Sequence, residues 1–298
     1  MILYLIKHYL RYLKKSWRHR DIVDIRKQHD ALLSFLPYAR HVHVHDVMRP
    51  GGLWRYFTPD NIAYETYIIH FHGGGLCMGS VDSHSAMASH LAYHTQSVVI
   101  LPAYRLAPEH PYPASFDDAL SIYDYLTITM NIPSKNIILS DDSAGALLAF
   151  SIVAQLRLLT RPMPAMMLFF APLTSCELLN NDSLYSDLTL RDPFLDIHLM
   201  RRLKEYVFHD MPGDNAIISP LYADYTHCPP FFSVIGSDDL LLEPLRATHI
   251  KALKAGIDCT LLIQNHCFHG HYMAPQYIRL AQEAYKAAAL FMHQHIIR

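Results

Sequence analysis

The run Asn136-Ile137-Ile138-Leu139-Ser140-Asp141-Asp142-Ser143-Ala144-Gly145-Ala146-Leu147-Leu148-Ala149-Phe150 decides the fold. It opens on a short apolar stretch, 136–139, that reads as a buried strand. It closes on a longer apolar pattern, 143–159, of helical length. Ser143 therefore sits on a strand-to-helix turn. Such a turn exposes a hydroxyl and aims the free N–H groups of a helix start at whatever the hydroxyl attacks. A serine there, taken alone, is an ordinary helix start with Asp142 or Ser143 as N-cap. The decisive addition is His72-Gly73-Gly74-Gly75, which follows an apolar strand pattern at 64–71. Glycine backbone approaches a ligand closely, so this run can aim N–H groups at a developing oxyanion. The expected donors are the N–H groups of Gly73, Gly74 and Ala144. A placed nucleophile and an oxyanion loop together point to acyl transfer.

Such a serine needs a histidine as base, and the histidine needs an orienting carboxylate. In a doubly wound sheet the chain order is serine, acid, histidine. Gly236-Ser237-Asp238-Asp239 follows a strand pattern ending near Ile235, which puts Asp239 at the carboxyl edge of the sheet. One helix and one strand later comes His266-Cys267-Phe268-His269-Gly270-His271. His269, ahead of a glycine, is the chosen base. His266 and His271 read as structural or solvent-facing.

Outward from these points, short apolar strands alternate with helices beyond residue 64. That rhythm predicts an α/β fold: a mostly parallel central sheet with helices on both faces. Strands are expected at 42–47, 53–57, 64–71, 97–101, 136–139, 165–170, 229–235 and 259–263. Helices are expected at 83–94, 116–130, 143–159, 193–208, 243–255 and 275–295, with two more before residue 36. The stretch 175–220 carries no strong strand signal and suits a helical cap. The expected organisation is N-terminal helices contributing to the cap (1–45), a first core part (46–174), a cap insertion (175–218) and a second core part (219–298).

The chain has 298 residues, 51% of them hydrophobic and 17% charged, enough for one large core with an inserted cap. A net charge of -2 supplies no basic field, which argues against nucleic acid as a partner. Five cysteines without a C-x-x-C pair read as reduced thiols, hence a cytoplasmic location. Among the 21 histidines, His41, His43 and His45 alternate, and His90 and His94 are four apart. No carboxylate or cysteine completes either as a metal site in sequence, so solvated or hydrogen-bonded histidine is expected. No run approaches the ~18 apolar residues of a membrane span. In the first helix Leu3, Ile6, Leu10, Leu13 and Trp17 fall on one stripe and Lys7, Arg11, Lys14, Lys15 and Arg18 on others. The preferred expectation is a stripe packed on the rest of the chain. A peripheral membrane contact through residues 1–18 is the alternative.

The chain resembles the hormone-sensitive-lipase-like branch of the α/β-hydrolase superfamily, particularly its bacterial carboxylesterases. The resemblance runs from about residue 64 to 290. It rests on His72-Gly73-Gly74-Gly75, on Tyr104-Arg105-Leu106-Ala107-Pro108-Glu109-His110-Pro111-Tyr112-Pro113-Ala114, on Asp142-Ser143-Ala144-Gly145, on Ser219-Pro220-Leu221, on Gly236-Ser237-Asp238-Asp239 and on His269-Gly270. It implies a Ser143–His269–Asp239 triad, an oxyanion hole from Gly73, Gly74 and Ala144, and no metal or cofactor. It also implies small-molecule esters of short to medium acyl chain as substrates, with Arg105 and Glu109 as scaffold. Relatives often dimerise, which leaves a homodimer open. The same fold serves non-catalytic hormone receptors, and amide or lactone hydrolysis uses the same triad, so both remain as alternatives.

One residue departs from the family pattern. Two positions before the serine the family has glycine, and here stands Asp141. At a tight turn it is expected to crowd Gly145 and to set a negative charge beside the oxyanion, a penalty of about 10²–10³ in rate if it equals one lost donor; the alternative is a carboxylate that turns away and is hydrogen-bonded, at little cost.

Overall fold

In the computed structural model of the chain, which describes residues 2–49, 51–180 and 190–296, the described strands form one eight-stranded sheet. The strands are β1 (Val42–Arg49), β2 (Gly52–Pro59), β3 (Tyr67–Phe71), β4 (Val98–Pro102), β5 (Ile137–Asp142), β6 (Met166–Phe170), β7 (Phe231–Gly236) and β8 (Cys259–Gln264). Their order is β1-β2-β4-β3-β5-β6-β7-β8. β2 is antiparallel to both β1 and β4, and from β4 onward every pairing is parallel. The N-terminal hairpin β1–β2 thus extends a parallel sheet at one edge.

The central strands explain why they read as plain apolar runs. Every residue of β5, β6 and β7 is buried, which requires cover on both faces. Among the described residues these helices follow the strands: α3 (Val81–Thr95), α4 (Ala114–Asp124), α5 (Ala146–Leu158), α6 (Ile197–Phe208), α7 (Leu242–Lys254) and α8 (Arg279–Ile296). α3 packs against α8, and α4 against α5. Edge strand β1 is mostly exposed. There His41 and His43 both reach Asp60, and His45 stacks on Tyr56. His90 and His94 stack beside Tyr285. Among the described residues no group of three or more His, Cys, Asp or Glu is arranged to hold a metal, and no helix is long and apolar enough to cross a membrane.

The chain begins with α1 (Ile2–Trp17) and α2 (Ile22–Leu33). α1 buries Leu13 and Trp17, the C-terminal end of its apolar stripe. Asp21 caps α2 by accepting from Val23 N–H at 2.8 Å. Trp17 Nε1 donates to Gln28 across the turn. Arg202 of α6 donates to the carbonyls of Arg18 and Arg20, which ties α1 to α6. Arg26 of α2 donates to the carbonyls of Cys77 and Ala107 and pairs with Glu109, while Arg105 pairs with Asp118. Glu109 and Arg105 are thus struts of the scaffold. Residues 181–189, within the expected 175–218 insertion, lie outside the described residues.

Candidate active site

Ser143 stands where β5 ends and a short 3₁₀ turn, Ser143–Gly145, leads into α5. Its φ of 52° lies in the left-handed region, a strained conformation for a residue with a Cβ. Gly145 makes the turn possible. A Cβ there would lie 2.2 Å from the carbonyl oxygen of Phe71, at the end of β3. The crowding at Gly145 therefore comes from β3 and not from Asp141, contrary to the expectation above.

His269 follows β8 and Asp239 follows β7, so neighbouring parallel strands deliver both side chains to one edge. His269 Nε2 lies 3.0 Å from Ser143 Oγ, and His269 Nδ1 lies 2.9 Å from Asp239 Oδ2. A tautomer with the proton on Nδ1 donates to Asp239 and accepts from the serine hydroxyl. Asp239 is fully buried, and its Oδ1 also accepts from Leu241 N–H at 2.9 Å. Burial disfavours the charged imidazolium, but the Asp239 carboxylate and its hydrogen bond outweigh that and hold His269 above its ordinary value. The other two histidines of the loop lie elsewhere. His271 bonds to Phe268 O and Gln264 Oε1, and burial pushes it down to about 4. The backbone of His266 bonds to Ser237 and Lys7.

Asp192 was not singled out in the sequence. Its Oδ1 accepts from Phe194 N–H (2.8 Å) and Leu195 N–H (3.0 Å). Its Oδ2 accepts from His269 N–H and Leu240 N–H, both at 3.3 Å. One buried carboxylate thus holds the backbone of His269 and of the residue after Asp239. Burial and the nearby Asp239 charge push Asp192 up to about 6. Its carbonyl accepts from Lys14 Nζ of α1, and the ring of Phe194 lies parallel to the His269 imidazole at 6.2 Å. In sequence Asp192-Pro193 reads as a turn before a helix. Nothing local ties it to a histidine 77 positions away.

The glycine loop requires a correction. Gly73 N–H donates to Asp142 Oδ1 at 2.7 Å, so it is committed and unavailable to an oxyanion. The cavity wall beside Ser143 is formed by Gly74, Gly75 and Ala144, and Gly73 does not line it. Gly74 has φ +108°, and a Cβ there would lie 2.4 Å from the carbonyl oxygen of Met78. The sequence shows three glycines in a row but not which N–H turns inward. The deciding signal is Asp142, an acceptor placed to claim the first of them. Asp142 itself is buried, which alone would raise it. His84 and His70, with Nε2 atoms 3.5 and 3.4 Å away, outweigh that and hold it well below the carboxylate range.

Asp141 points away from Asp142 by strand alternation and is 0% exposed. Neither of its oxygens has a hydrogen-bond partner. Burial, and then the Asp142 charge, push it well above the carboxylate range, which favours the neutral acid over the expected negative charge beside the oxyanion. Burial also raises all five cysteine thiols, none of which is paired.

Ser143 and His269 open onto a cavity of about 340 Å³, walled largely by apolar side chains from α1, α2, α6 and the sheet edge. Trp17, Leu36 and Leu199 are among them. A mostly apolar chamber with a few convergent polar groups is the usual form of a small-ligand site.

A family model described as alpha/beta hydrolase fold matches residues 68–273. An esterase of Acinetobacter venetianus is 32% identical over 191 residues, 64% of this chain and 62% of that one, so the match spans under two thirds of that protein. An acetyl-hydrolase of Streptomyces hygroscopicus is 29% identical over 227 residues, 76% of this chain and 74% of that one. Among solved structures, a hormone-sensitive lipase from a metagenome library superposes with TM-score 0.87 and 26% identity, covering 97% of this chain and 98% of that one.

Proposed function

The chain belongs to the alpha/beta hydrolase fold family, and from that premise we propose that it is a serine carboxylesterase acting on esters of short to medium acyl chain. The observation that carries this reading is the unbroken line from Asp239 Oδ2 through the His269 ring to Ser143 Oγ, with contacts of 2.9 and 3.0 Å, opening on an apolar chamber.

In this reading Ser143 Oγ attacks the ester carbonyl while His269 Nε2 takes its proton. The tetrahedral oxyanion is held by the N–H groups of Gly74, Gly75 and Ala144. His269 gives the proton to the departing alkoxide, which leaves as the alcohol. Water, deprotonated by the same ring, then cleaves the acyl-enzyme and restores the hydroxyl. Asp239 keeps Nδ1 protonated and stabilises the imidazolium. Helices α1, α2 and α6 act as the cap, and the acyl chain lies among their apolar side chains.

The test is turnover of p-nitrophenyl esters from acetate to palmitate, with a fluorophosphonate probe run in parallel. The expected result is hydrolysis strongest at the shorter chains and labelling of Ser143. Both should be lost in Ser143→Ala, with kcat lower on the order of 10⁴–10⁶-fold. A folded parent protein that neither turns over the esters nor takes the label is a binder, and the proposal fails.

A further inference from the structure

Among the described residues, two neighbouring flanks of α1 are exposed. Leu5, Tyr9 and Tyr12 share one flank at four- and three-residue spacing and are 58%, 45% and 64% exposed. Tyr4, His8, Arg11 and Lys15 share the next and are all exposed. The tyrosine rings are braced, Tyr9 on Tyr12 and Tyr4 on His8. Single exposed apolar residues need no explanation, but a contiguous row does. Leu32 of α2 and, beyond it, Phe35 and Tyr38 are exposed as well.

Its position gives the row a meaning. Tyr9, Leu32 and Tyr277 are exposed and also line the cavity, so they mark its mouth. The apolar row surrounds the entrance to an apolar chamber. The charge on α1 itself has one sign, because the helix contains no acidic residue. Lys7 is paired with Asp238 and Lys14 is bonded to the Asp192 carbonyl, whereas Arg11 and Lys15 form no ion pair among the described residues. Tyrosine and leucine beside free cations is the composition of a helix lying in the headgroup region of a bilayer, with its rings at the acyl boundary and its cations on anionic headgroups.

We propose that this face docks on an anionic lipid surface, with the cavity mouth turned to the bilayer. The docking stands on the surface alone. That an ester enters the cavity from the bilayer rests on the hydrolase reading above.

The experiment is flotation of the full chain with vesicles of phosphatidylcholine, alone or mixed with phosphatidylglycerol. Two double variants are compared: Leu5→Asp with Tyr12→Asp, and Arg11→Glu with Lys15→Glu. None of these four side chains lines the cavity. The parent is expected to float with the phosphatidylglycerol vesicles, less so as salt is raised, and each double variant to bind roughly tenfold more weakly or worse. Near-ultraviolet circular dichroism like the parent's shows that the variants fold, and p-nitrophenyl acetate turnover is expected to be unchanged. The proposal is overturned if the parent stays with the soluble fraction, or if either folded double variant floats as well as the parent. Because flotation requires no turnover, its failure is separable from failure of the hydrolase reading.

Discussion

Asp141 is the residue whose chemistry depends most on its surroundings. A carboxyl group buried without a hydrogen-bond partner costs on the order of 1–3 kcal/mol. Replacing it with alanine keeps the Cβ that the strand accommodates and removes the orphaned oxygens. Asp141→Ala is therefore expected to stabilise the fold by about 1 kcal/mol or more after the small void is counted. The sign with pH follows from the raised carboxyl. The unfolded chain releases the proton near the ordinary value while the folded chain keeps it, so the penalty grows as pH rises from about 4. Thermal melts should show a larger gain for Asp141→Ala at about pH 8 than at about pH 4. Ester turnover should change less than about tenfold, because a neutral acid puts no charge against the oxyanion. A rate increase of 10² or more would revive the charged reading. The sequence singles out this position, but its protonation was not legible there, because that depends on burial from both sides of the sheet.

At the scale of elements, the site is a junction. β5, β7 and β8 end at one edge and present Ser143, Asp239 and His269. The stretch leading into α6 supplies Asp192, which accepts from four backbone N–H groups and stitches two of those ends together through the two at Leu240 and His269. Asp192→Ala leaves those donors without their acceptor and loosens His269. Its expected effect is a fall in kcat of up to about 10²-fold with KM little changed. Asp192→Asn keeps an acceptor oxygen but removes the charge that helps hold His269 high. A mere packing role would leave the pH profile in place, so the expected downward move of the acid limb in Asp192→Asn is the distinguishing readout. The strands were legible because buried parallel strands are written as plain apolar runs such as Met166–Phe170. Ser143, Asp239 and His269 were legible because each sits just past such a run. Asp192 was not, because its partners are backbone groups brought near only by folding. The inward-facing glycines were not either, because the loop's course is set by Asp142 and Met78.

Across the whole molecule, the abundance of histidine becomes a statement about pH. His70, His72, His90, His94, His249 and His271 are all lowered, in each case by burial first. A histidine kept neutral in the fold binds a proton only on unfolding, so its contribution to stability is lost as pH falls below about 6.5. Asp141 and Asp192 act in the opposite sense, because the folded state holds their protons above the ordinary carboxylate value. The six uptakes outnumber the two releases, so the balance is a loss of stability as pH falls below about 6.5. His269 is the exception, with a raised value. Its imidazolium stabilises the fold below about 6.5, and that contribution fades as pH rises through its folded value. Two separate acid transitions are therefore expected. Ester turnover should fall first, reversibly, with a midpoint above about 6.5, as His269 takes a proton. The melting temperature should then drop as pH falls below about 6. His249 offers the sharpest check, since neither of its ring nitrogens has a partner and it packs against Phe231. His249→Leu should raise the melting temperature more at about pH 5 than at about pH 8, leaving the turnover midpoint unmoved. A melting temperature that stays level from about pH 8 to 5 would mean that the buried imidazoles do not govern acid stability.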